Sequence, residues 1–418
     1  MKIAVIGAGI SGLTTAYYLK DKHQVTVLES ADRIGGHTAT VDVSHNGRDY
    51  AIDTGFIVYN DWTYPKFIEL LTELGVASEE TEMSFSVSCD SSGVEYGGNN
   101  LNTMFAQRLN LFKPSFIGMV KDILRFNKES IEHLESGRLE EGSTLGTYLQ
   151  DHDYGREFIQ HYLVPMGCAI WSASTKTMLD FPLLFFIRFF KNHGLLSVNN
   201  RPQWRVIRGG SRSYLKPLSE QLKDSIHVGV NIDKVIRDGS GVKIELKSGE
   251  VQEYDHVVFA CHSDQAKALL DDISVAEDSV LSAIPYQSNE VILHTDDSIL
   301  PNKKLAWSSW NYRLRSEDQI RAVLTYDMNI LQGIDSETTF CVTLNDRSSI
   351  DASKILGVYN YSHPVFSLES VTAQAQWADI NGVKRTWFCG AYWGNGFHED
   401  GVASGRRVAE ALNYLGDD

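Results

Sequence analysis

Short apolar runs alternate with amphipathic stretches along this chain, a pattern typical of α/β proteins. The first run, KIAVIG, is apolar throughout, which predicts a parallel strand buried on both faces. A following stretch, SGLTTAYYLK, has helical periodicity, and QVTVLE predicts a second strand. A strand, a helix and a strand in this order predict a Rossmann-like unit at the N-terminus.

The pattern changes further along the chain. Residues 81–98 alternate as in a pair of strands, and residues 104–200 are mostly helical and rich in aromatics. Residues 226–261 predict a strand, a hairpin and a buried strand. Strands rich in β-branched and aromatic residues follow, so we expect a second domain of the α+β kind.

Composition narrows the class of protein. The formal net charge of −16 argues against a nucleic-acid partner. Five cysteines are scattered and never spaced as CxxC, so we expect no metal site, no disulfide framework and a reducing, cytoplasmic setting. The apolar start of the chain is interrupted by glycines and lacks a signal-peptide cleavage site. The sequence contains no run of eighteen apolar residues, so it predicts no membrane span.

A GxGxxG motif joins the first strand to the first helix. Gly7 permits the tight turn, Gly9 lets a pyrophosphate approach the backbone, and Gly12 lets helix and strand pack closely. Ser11 lies at the helix N-terminus, whose N–H groups and dipole favour phosphate. Glu29 ends the second strand, at the spacing that binds ribose hydroxyls. These residues predict a dinucleotide site; a turn that serves packing alone is the alternative.

A second glycine-rich loop follows the acid. Arg33, Gly35 and Gly36 supply a cation and two glycines where the backbone must pass a second phosphate or the ribityl chain. Thr54 and Gly55 lie in the next motif, AIDTGFIVYN. NAD enzymes have no need for such a loop, so FAD is the predicted cofactor. The alternative is an arginine salt-bridged on a surface turn.

These motifs resemble the flavin-containing amine oxidase and phytoene desaturase superfamily, whose signature is GxGxxG, an acid and RxGG. The resemblance implies FAD bound without a covalent link, because no cysteine matches the attachment position. It also implies that the backbone of Ile232 contacts the adenine. The C-terminal glycine–aromatic segment, residues 387–405, would then hold the flavin through Gly390, Asp400, Gly401 and Val402.

The same resemblance implies an α/β fold in which a GR2-type, Rossmann-like FAD domain is interleaved with an α+β substrate domain of the amine oxidase kind. Both ends of the chain then belong to the cofactor domain. The expected FAD domain comprises residues 1–80, 205–285 and 386–418. The expected substrate domain comprises residues 81–204 and 286–385.

Several positions depart from the amine oxidase pattern. Asn289 and Glu290 lie where those enzymes have a lysine that holds a water against flavin N5. Tyr392 replaces an acid that binds the ribityl chain, and Phe397 lies at one position of the aromatic pair that flanks the amine. These departures favour an apolar substrate over an amine.

Candidate site residues follow from this comparison. Trp171, Tyr312 and Phe397, together with Tyr392, would shape an apolar pocket against the flavin, although ordinary core packing also explains such aromatics. A proton acceptor near the flavin would be useful, and His398 lies before the last helix, although a hydrogen-bonded structural histidine is equally compatible. The candidate catalytic groups are His398, Glu399 and Tyr59.

Residues 181–219 contain no Asp or Glu but seven Lys and Arg residues, beside the apolar run FPLLFFIRFF. The run predicts either a buried helix or an element that contacts lipid at the inner face of a membrane. The cations would face the cofactor pyrophosphate, a phospholipid head group or the chain's own acids.

A narrower resemblance rests on five runs, which are PMGCAIWSAS, FFKNHGLL, RPQWRVIRGGSRSY, SWNY and GFHEDGVASG. These runs are similar to bacterial FAD-dependent oxidoreductases associated with cyclopropane-fatty-acyl-phospholipid synthases, one relative of which desaturates phospholipid acyl chains during furan fatty acid formation. The resemblance implies desaturation of an unsaturated acyl chain and a lipid methyltransferase as partner. The alternatives are a flavin-dependent polyamine oxidase and a flavoprotein scaffold without turnover.

Overall fold

A computed structural model describes residues 1–316 and 319–416. Apolar, β-branched runs form most of the strands, as the sequence pattern predicts. In chain order the strands are β1 (Lys2–Ile6), β2 (Gln24–Leu28), β3 (Thr40–His45), β4 (Arg48–Asp53), β5 (Val58–Asn60), β6 (Ser78–Thr81), β7 (Phe85–Cys89), β8 (Glu95–Gly97), β9 (Trp204–Ile207), β10 (Ile226–His227), β11 (Ile232–Arg237), β12 (Val242–Leu246), β13 (Val251–Tyr254), β14 (His256–Phe259), β15 (Tyr286–His294), β16 (Trp310–Leu314), β17 (Leu324–Asp327), β18 (Cys341–Leu344), β19 (Ile355–Pro364) and β20 (Thr386–Phe388).

The helices begin and end at recognisable signals. Pro65 occupies the first turn of α2, and Gly75, with a φ of 66°, follows its end. The helices are α1 (Ile10–Leu19), α2 (Pro65–Glu73), α3 (Leu101–Met104), α4 (Pro114–Glu135), α5 (Leu145–Asp151), α6 (Arg156–Phe158), α7 (Val164–Trp171), α8 (Thr175–Leu179), α9 (Leu183–Asn192), α10 (Leu215–Glu220), α11 (Ser263–Leu269), α12 (Val275–Ser282), α13 (Met328–Leu331), α14 (Leu368–Ala375), α15 (Trp377–Ile380) and α16 (His398–Leu415).

One sheet is parallel throughout, in the order β10-β2-β1-β14-β20. Its strands come from the start, the middle and the end of the chain, so distant segments build one layer. Ile3, Ala4 and Val5 of β1 are fully buried, as expected for a central strand covered on both faces. This is the Rossmann-like sheet that the first motifs predict.

A larger sheet has the order β19-β15-β18-β17-β16-β7-β8 and is mostly antiparallel, with a parallel β16–β7 pair. Helices α4 to α9 pack beside it around an aromatic core that includes Phe126, Phe158 and Phe186. Because both layers share this core, the aromatic-rich helices predicted from the sequence gain their stability by burying rings.

The acid-free stretch at residues 181–219 has a structural explanation. Helix α9 buries Phe186, Ile187, Phe189 and Phe190 in the aromatic core. The chain's own acids pair with four of the seven cations, and no further ligand is needed to explain those four. The pairs are Lys191 with Glu135, Arg205 with Glu80, Arg208 with Glu79, and Arg212 with Asp42.

Within residues 1–316 and 319–416, no helix is long and apolar enough to cross a bilayer.

Candidate functional site

A cavity of about 640 Å³ lies where the carboxyl ends of β1, β2 and β14 meet the N-termini of α1 and α16. Ligands bind at this edge of open parallel sheets because the helix N-termini and turns converge there. The wall continues to α7, β16 and β17, so both sheets contribute to one cavity. Its volume is in the range of cofactor and small-molecule sites.

The GxGxxG loop forms part of the wall as a tight crossing. A Cβ atom on Gly7, whose φ is 107°, would approach the carbonyl oxygen of Ala260 to 2.9 Å. A Cβ atom on Gly12 would lie only 2.0 Å from the carbonyl oxygen of Gly7. Gly9 has no such neighbour within 4 Å and, like Ser11, lines the cavity. Gly9 caps α1 without a side-chain hydrogen bond, which leaves a cradle for phosphate.

The second glycine loop lies against the first. Gly35 forms an isolated parallel bridge with Gly9, and a Cβ atom on Gly36 would be 3.3 Å from the Cα atom of Gly9. A Cβ atom on Gly55 would overlap the carbonyl oxygen of His37, at 2.0 Å. Gly35, Gly36 and Gly55 all line the cavity, so the two loops form one continuous wall.

The carboxylate of Glu29 is held at the end of β2. It accepts hydrogen bonds from the backbone N–H groups of Ala8, at 2.7 Å, and Ala31, at 2.8 Å. Glu29 and Ile232 line the same end of the cavity as Val230 and Leu269. An acid and apolar side chains together suit the ribose and adenine of a dinucleotide.

The C-terminal segment supplies the opposite side. Gly390, Tyr392 and Phe397 line the cavity, and the ring of Phe397 stacks on Phe189 with centroids 5.2 Å apart. Trp171 also lines the cavity, and its Nε1 donates to the carbonyl oxygen of Asn395 at 3.3 Å. Trp171 is thus brought together with three predicted wall residues of the distant C-terminal segment.

His398 lies on the wall but is closely held. Its Nε2 is 3.0 Å from the Thr38 hydroxyl and 3.2 Å from the Tyr214 hydroxyl, and its ring stacks on Phe56. Burial lowers the pKa of His398 to about 3. A neutral imidazole engaged in this way is the hydrogen-bonded structural histidine that was the alternative to a proton acceptor.

Three predicted site residues lie outside the cavity wall. The carboxylate of Glu399 accepts hydrogen bonds from Lys66 N at 3.1 Å and Phe67 N at 2.9 Å, so it caps α2 instead of facing the flavin site. Tyr59 packs edge-on against Phe67 in the core of the parallel-sheet layer. Tyr312 is 1% exposed in the aromatic core. Local packing thus places these three predicted side chains away from the residues that line the cavity.

Two loop residues support the wall from behind. The guanidinium of Arg33 donates to the carbonyl oxygens of Gly36, at 2.9 Å, and Thr38, at 3.2 Å, and so ties the second glycine loop. The Thr54 hydroxyl lies 2.9 Å from the Tyr361 hydroxyl. Neither Arg33 nor Thr54 is among the residues that line the cavity.

The first turn of α16 has a similar supporting role. The carboxylate of Asp400 accepts a hydrogen bond from Phe397 N at 2.9 Å, and burial raises its pKa to about 6. A Cβ atom on Gly401 would be 3.0 Å from the Ser11 hydroxyl oxygen, so this glycine lets α16 approach α1. Val402 is fully buried in the core below. These three residues position the wall without forming it.

Sequence reasoning missed three histidines on the wall. The ring centroid of His37 lies 5.4 Å from that of His363 and 6.1 Å from that of His262. Burial and the two neighbouring imidazoles lower the pKa of His37 well below its usual value, and burial lowers that of His363 to about 4. One signal was available, because His37 directly follows Gly36 and His262 lies three residues after the end of the parallel strand β14.

Two observations fit a bound FAD. A Cβ atom on Gly9 would enter open cavity, which is where a pyrophosphate would lie. The buried Nε2 of His37 makes no hydrogen bond within the described part of the chain, so a bound group can serve as its partner. Fold and site therefore define a dinucleotide-binding protein of the flavoprotein class.

The comparisons with known proteins agree. The sequence profile of the family described as flavin containing amine oxidoreductase matches residues 10–339. The chain therefore belongs to this family of FAD-dependent oxidoreductases. A flavin-containing amine oxidase of Oncorhynchus mykiss is 24% identical over 284 residues, which cover 62% of this chain and 49% of that enzyme. The chain thus spans about half the length of that relative.

Solved structures share the whole fold. Cyclohexylamine oxidase from Brevibacterium oxydans IH-35A superposes with a TM-score of 0.72 at 17% identity, covering 100% of this chain and 99% of that one. A CLA-producing fatty acid isomerase from P. acnes superposes with a TM-score of 0.65 at 14% identity, covering 99% and 98%. The predicted α/β fold and FAD as cofactor are confirmed.

Proposed function

We propose that this protein oxidises an apolar, lipid-like substrate, with desaturation of a phospholipid-bound unsaturated acyl chain as the reaction. The observation that carries the proposal is the chemistry of the cavity wall beyond the dinucleotide cradle. The fold does not distinguish an amine substrate from a lipid substrate, since an amine oxidase and a fatty acid isomerase share it. The substrate must therefore be argued from the residues that line the site.

Beyond the dinucleotide cradle, apolar side chains predominate in the cavity wall. Among the described residues that line the cavity, Glu29 is the one carboxylate, and it lies at the ribose end; no Lys or Arg lines it. An ammonium substrate would be desolvated there without a charged partner, which costs several kcal/mol. An acyl chain loses no such hydration. The side chains concerned are Ile57, Val58, Ile170, Trp171, Trp310, Tyr326, Leu331, Phe366 and Phe397.

The departures from the amine oxidase pattern support the same conclusion. Asn289, at the position of the lysine in those enzymes, is fully buried, and its Nδ2 lies 3.3 Å from Nδ1 of His363. Its Oδ1 accepts a hydrogen bond from Asn345 at 2.9 Å. Asn289 thus fixes a neutral histidine of the wall and provides no cation there.

In the proposed reaction, bound FAD would supply the acceptor for a hydride from one substrate C–H bond, and the second hydrogen would leave the adjacent carbon as a proton to solvent, so that a C=C bond forms; O2 or another acceptor would reoxidise the flavin. The chain's own residues orient the substrate and exclude water. Trp171 and Phe397 pack on Phe189 at ring-centroid distances of 4.7 and 5.2 Å, so they form a stiff apolar surface. Such a surface holds an acyl chain by dispersion and excludes water from the reacting atoms.

Anaerobic mixing tests the substrate class. The FAD-loaded protein would be mixed with phospholipids carrying monounsaturated chains, and separately with monoamines and polyamines, while flavin absorbance is recorded. We expect bleaching by the lipids and none by the amines. Bleaching by amines alone would establish the rival amine oxidase function, and bleaching by neither would favour a scaffold for a lipid-modifying partner.

A pair of tryptophan variants makes the test specific. Trp171→Ala removes a wall residue, so the rate of flavin bleaching by lipid should fall by tenfold or more while the FAD content stays unchanged. Trp62→Ala removes a tryptophan that is 43% exposed outside the wall and should leave the rate unchanged. Equal rates in the two variants would contradict the assignment of the substrate surface.

The proposal includes the narrower subgroup. Membership among the oxidoreductases associated with cyclopropane-fatty-acyl-phospholipid synthases would make a lipid methyltransferase the expected partner. The five runs that carry this resemblance include Trp171 and Phe397 of the wall. Co-purification with such a methyltransferase, compared between wild type and Trp171→Ala, would separate a physical partner from a shared substrate.

A further inference from the structure

Large apolar side chains are exposed in one short stretch between β8 and α4. Leu101, Leu109, Leu111 and Phe112 are 75%, 75%, 48% and 83% exposed. Single exposed apolar residues are ordinary, but four within twelve positions are not. We call residues 96–121, from the end of β8 to the second turn of α4, the docking segment.

The docking segment is held in place by its own polar groups. Asn100 and Thr103 form a capping box at the start of α3. The guanidinium of Arg108 donates to the carbonyl oxygens of Asn102, at 3.1 Å, and Phe105, at 2.9 Å. These bonds fix the backbone, so the exposed side chains are presented by an ordered platform that needs little further ordering on binding.

Charge indicates what the docking segment binds. Residues 96–121 contain no Asp or Glu, whereas Arg108, Lys113 and Lys121 are exposed, on a chain of net charge −16. Apolar tips beside cations complement an anionic phospholipid surface, in which phosphates lie directly above acyl chains. A second copy of the chain would place like charges against each other, which disfavours a symmetric dimer through this face.

We propose that the docking segment binds the surface of an anionic phospholipid bilayer. Leu109 and Phe112 enter the boundary between head groups and acyl chains, and Lys113 and Lys121 lie beside the phosphates. The segment also adjoins the sheet that forms the cavity wall: Gly98 N donates to Phe85 O at 2.7 Å, and Phe85 is the register partner of Trp310. The proposal is independent of the substrate, because lipid binding is measured without turnover.

Co-sedimentation with vesicles tests the proposal on the FAD-loaded full chain. We expect binding to phosphatidylcholine vesicles that contain phosphatidylglycerol, at least tenfold weaker binding to pure phosphatidylcholine, and weakening by salt. The double variant Leu109→Ser/Phe112→Ser should lower the affinity for the anionic vesicles by tenfold or more. A matched control, Val275→Ser/Ile320→Ser, removes two residues that are 89% and 81% exposed elsewhere and should bind as wild type does.

Three results would overturn the proposal. They are failure of the wild type to sediment with anionic vesicles, wild-type affinity in the Leu109→Ser/Phe112→Ser variant, and a dimer that this variant abolishes in size-exclusion chromatography. Flavin absorbance and the thermal midpoint report whether the variant is folded. If the Leu109→Ser/Phe112→Ser variant is not folded, Lys113→Glu/Lys121→Glu serves in its place, because it replaces exposed charges alone. Its affinity for the same anionic vesicles should fall by a similar factor.

Discussion

The imidazole ring of His398 lies flat on the phenyl ring of Phe56, with centroids 3.5 Å apart and planes inclined by 12°. Phe56 directly follows Gly55 of the motif AIDTGFIVYN, and His398 begins the last helix, so this stack joins two distant parts of the cavity wall. Packing on Phe56 therefore explains why a histidine occupies this position. The Thr38 hydroxyl is a polar partner of its imidazole.

His398 should make the protein sensitive to acid. Its pKa is about 3 in the folded state, against about 6.5 in an unfolded chain, so the unfolded state binds more protons between these values. Its contribution to stability is complete above about pH 6.5 and falls by about 1.4 kcal/mol per pH unit below it. His398→Phe keeps the ring stack. We expect it to reduce the slope of the free energy of unfolding against pH by the equivalent of about one proton, measured by urea unfolding at pH 6.5 and pH 5. The control is the exposed His227→Phe, and an unchanged slope in His398→Phe would contradict the assignment.

Gly9→Val should abolish FAD binding without unfolding the protein. The new side chain meets no protein atom at its Cβ and instead enters the space assigned to the pyrophosphate. We expect loss of the flavin absorbance bands and a thermal midpoint equal to that of the wild-type apoprotein. Gly118→Val is the matched control, because that glycine also has open space around it but lies on α4, away from the cavity. Full flavin content in Gly9→Val would refute the phosphate-loop assignment.

Glu399→Ala should affect stability and leave the chemistry intact. The carboxylate accepts two backbone N–H groups at the start of α2, so its removal should cost about 1–2 kcal/mol in urea unfolding. Glu399→Gln keeps an acceptor and should cost less. A catalytic role would be supported instead if flavin reduction slowed by a hundredfold or more in both variants while the FAD content was unchanged.

The buried ion pair between Arg237 and Glu277 should be the costliest pair to break. Both side chains are at most 1% exposed, and the guanidinium also donates to Asp272 at 2.9 Å. Glu277→Ala would leave a buried cation with one partner fewer, so we expect a loss of about 3–5 kcal/mol. Asp278→Ala breaks the exposed pair with Lys267 and should cost at most about 1 kcal/mol in the same urea experiment. If the two variants lost similar free energies of unfolding, burial would not determine the cost of breaking an ion pair in this protein.

FAD could be predicted as the cofactor because the motifs that indicate it are local in the sequence. Gly7, Gly9 and Glu29 fall within a single strand–helix–strand unit, where a tight turn and a helix N-terminus already specify a phosphate site. Gly35 and Gly36 follow directly on the same chain segment. The short spacing between these glycines and the acid therefore made FAD predictable, because few backbone conformations are compatible with that spacing.

The aromatic positions could not be ranked in this way. Trp310 and Tyr312 lie on the same strand, yet only Trp310 reaches the cavity wall. Tyr312 is covered by α7, which places Cys168 against it, and by Gln319, whose Nε2 lies 3.3 Å from its hydroxyl. These neighbours come from other parts of the chain, so no periodicity within β16 distinguishes the two rings.

By itself the sequence determined a Rossmann-like unit, an FAD cradle and a second, aromatic-rich layer, because each depends on hydrophobic period and glycine spacing within a few dozen residues. Only the tertiary structure decided that Glu399 caps a helix, that His398 is stacked and neutral, and that three other histidines line the cavity. It also placed the exposed apolar residues in the docking segment and buried those of α9. Burial and long-range partners set these roles, and both depend on residues that are distant in the chain.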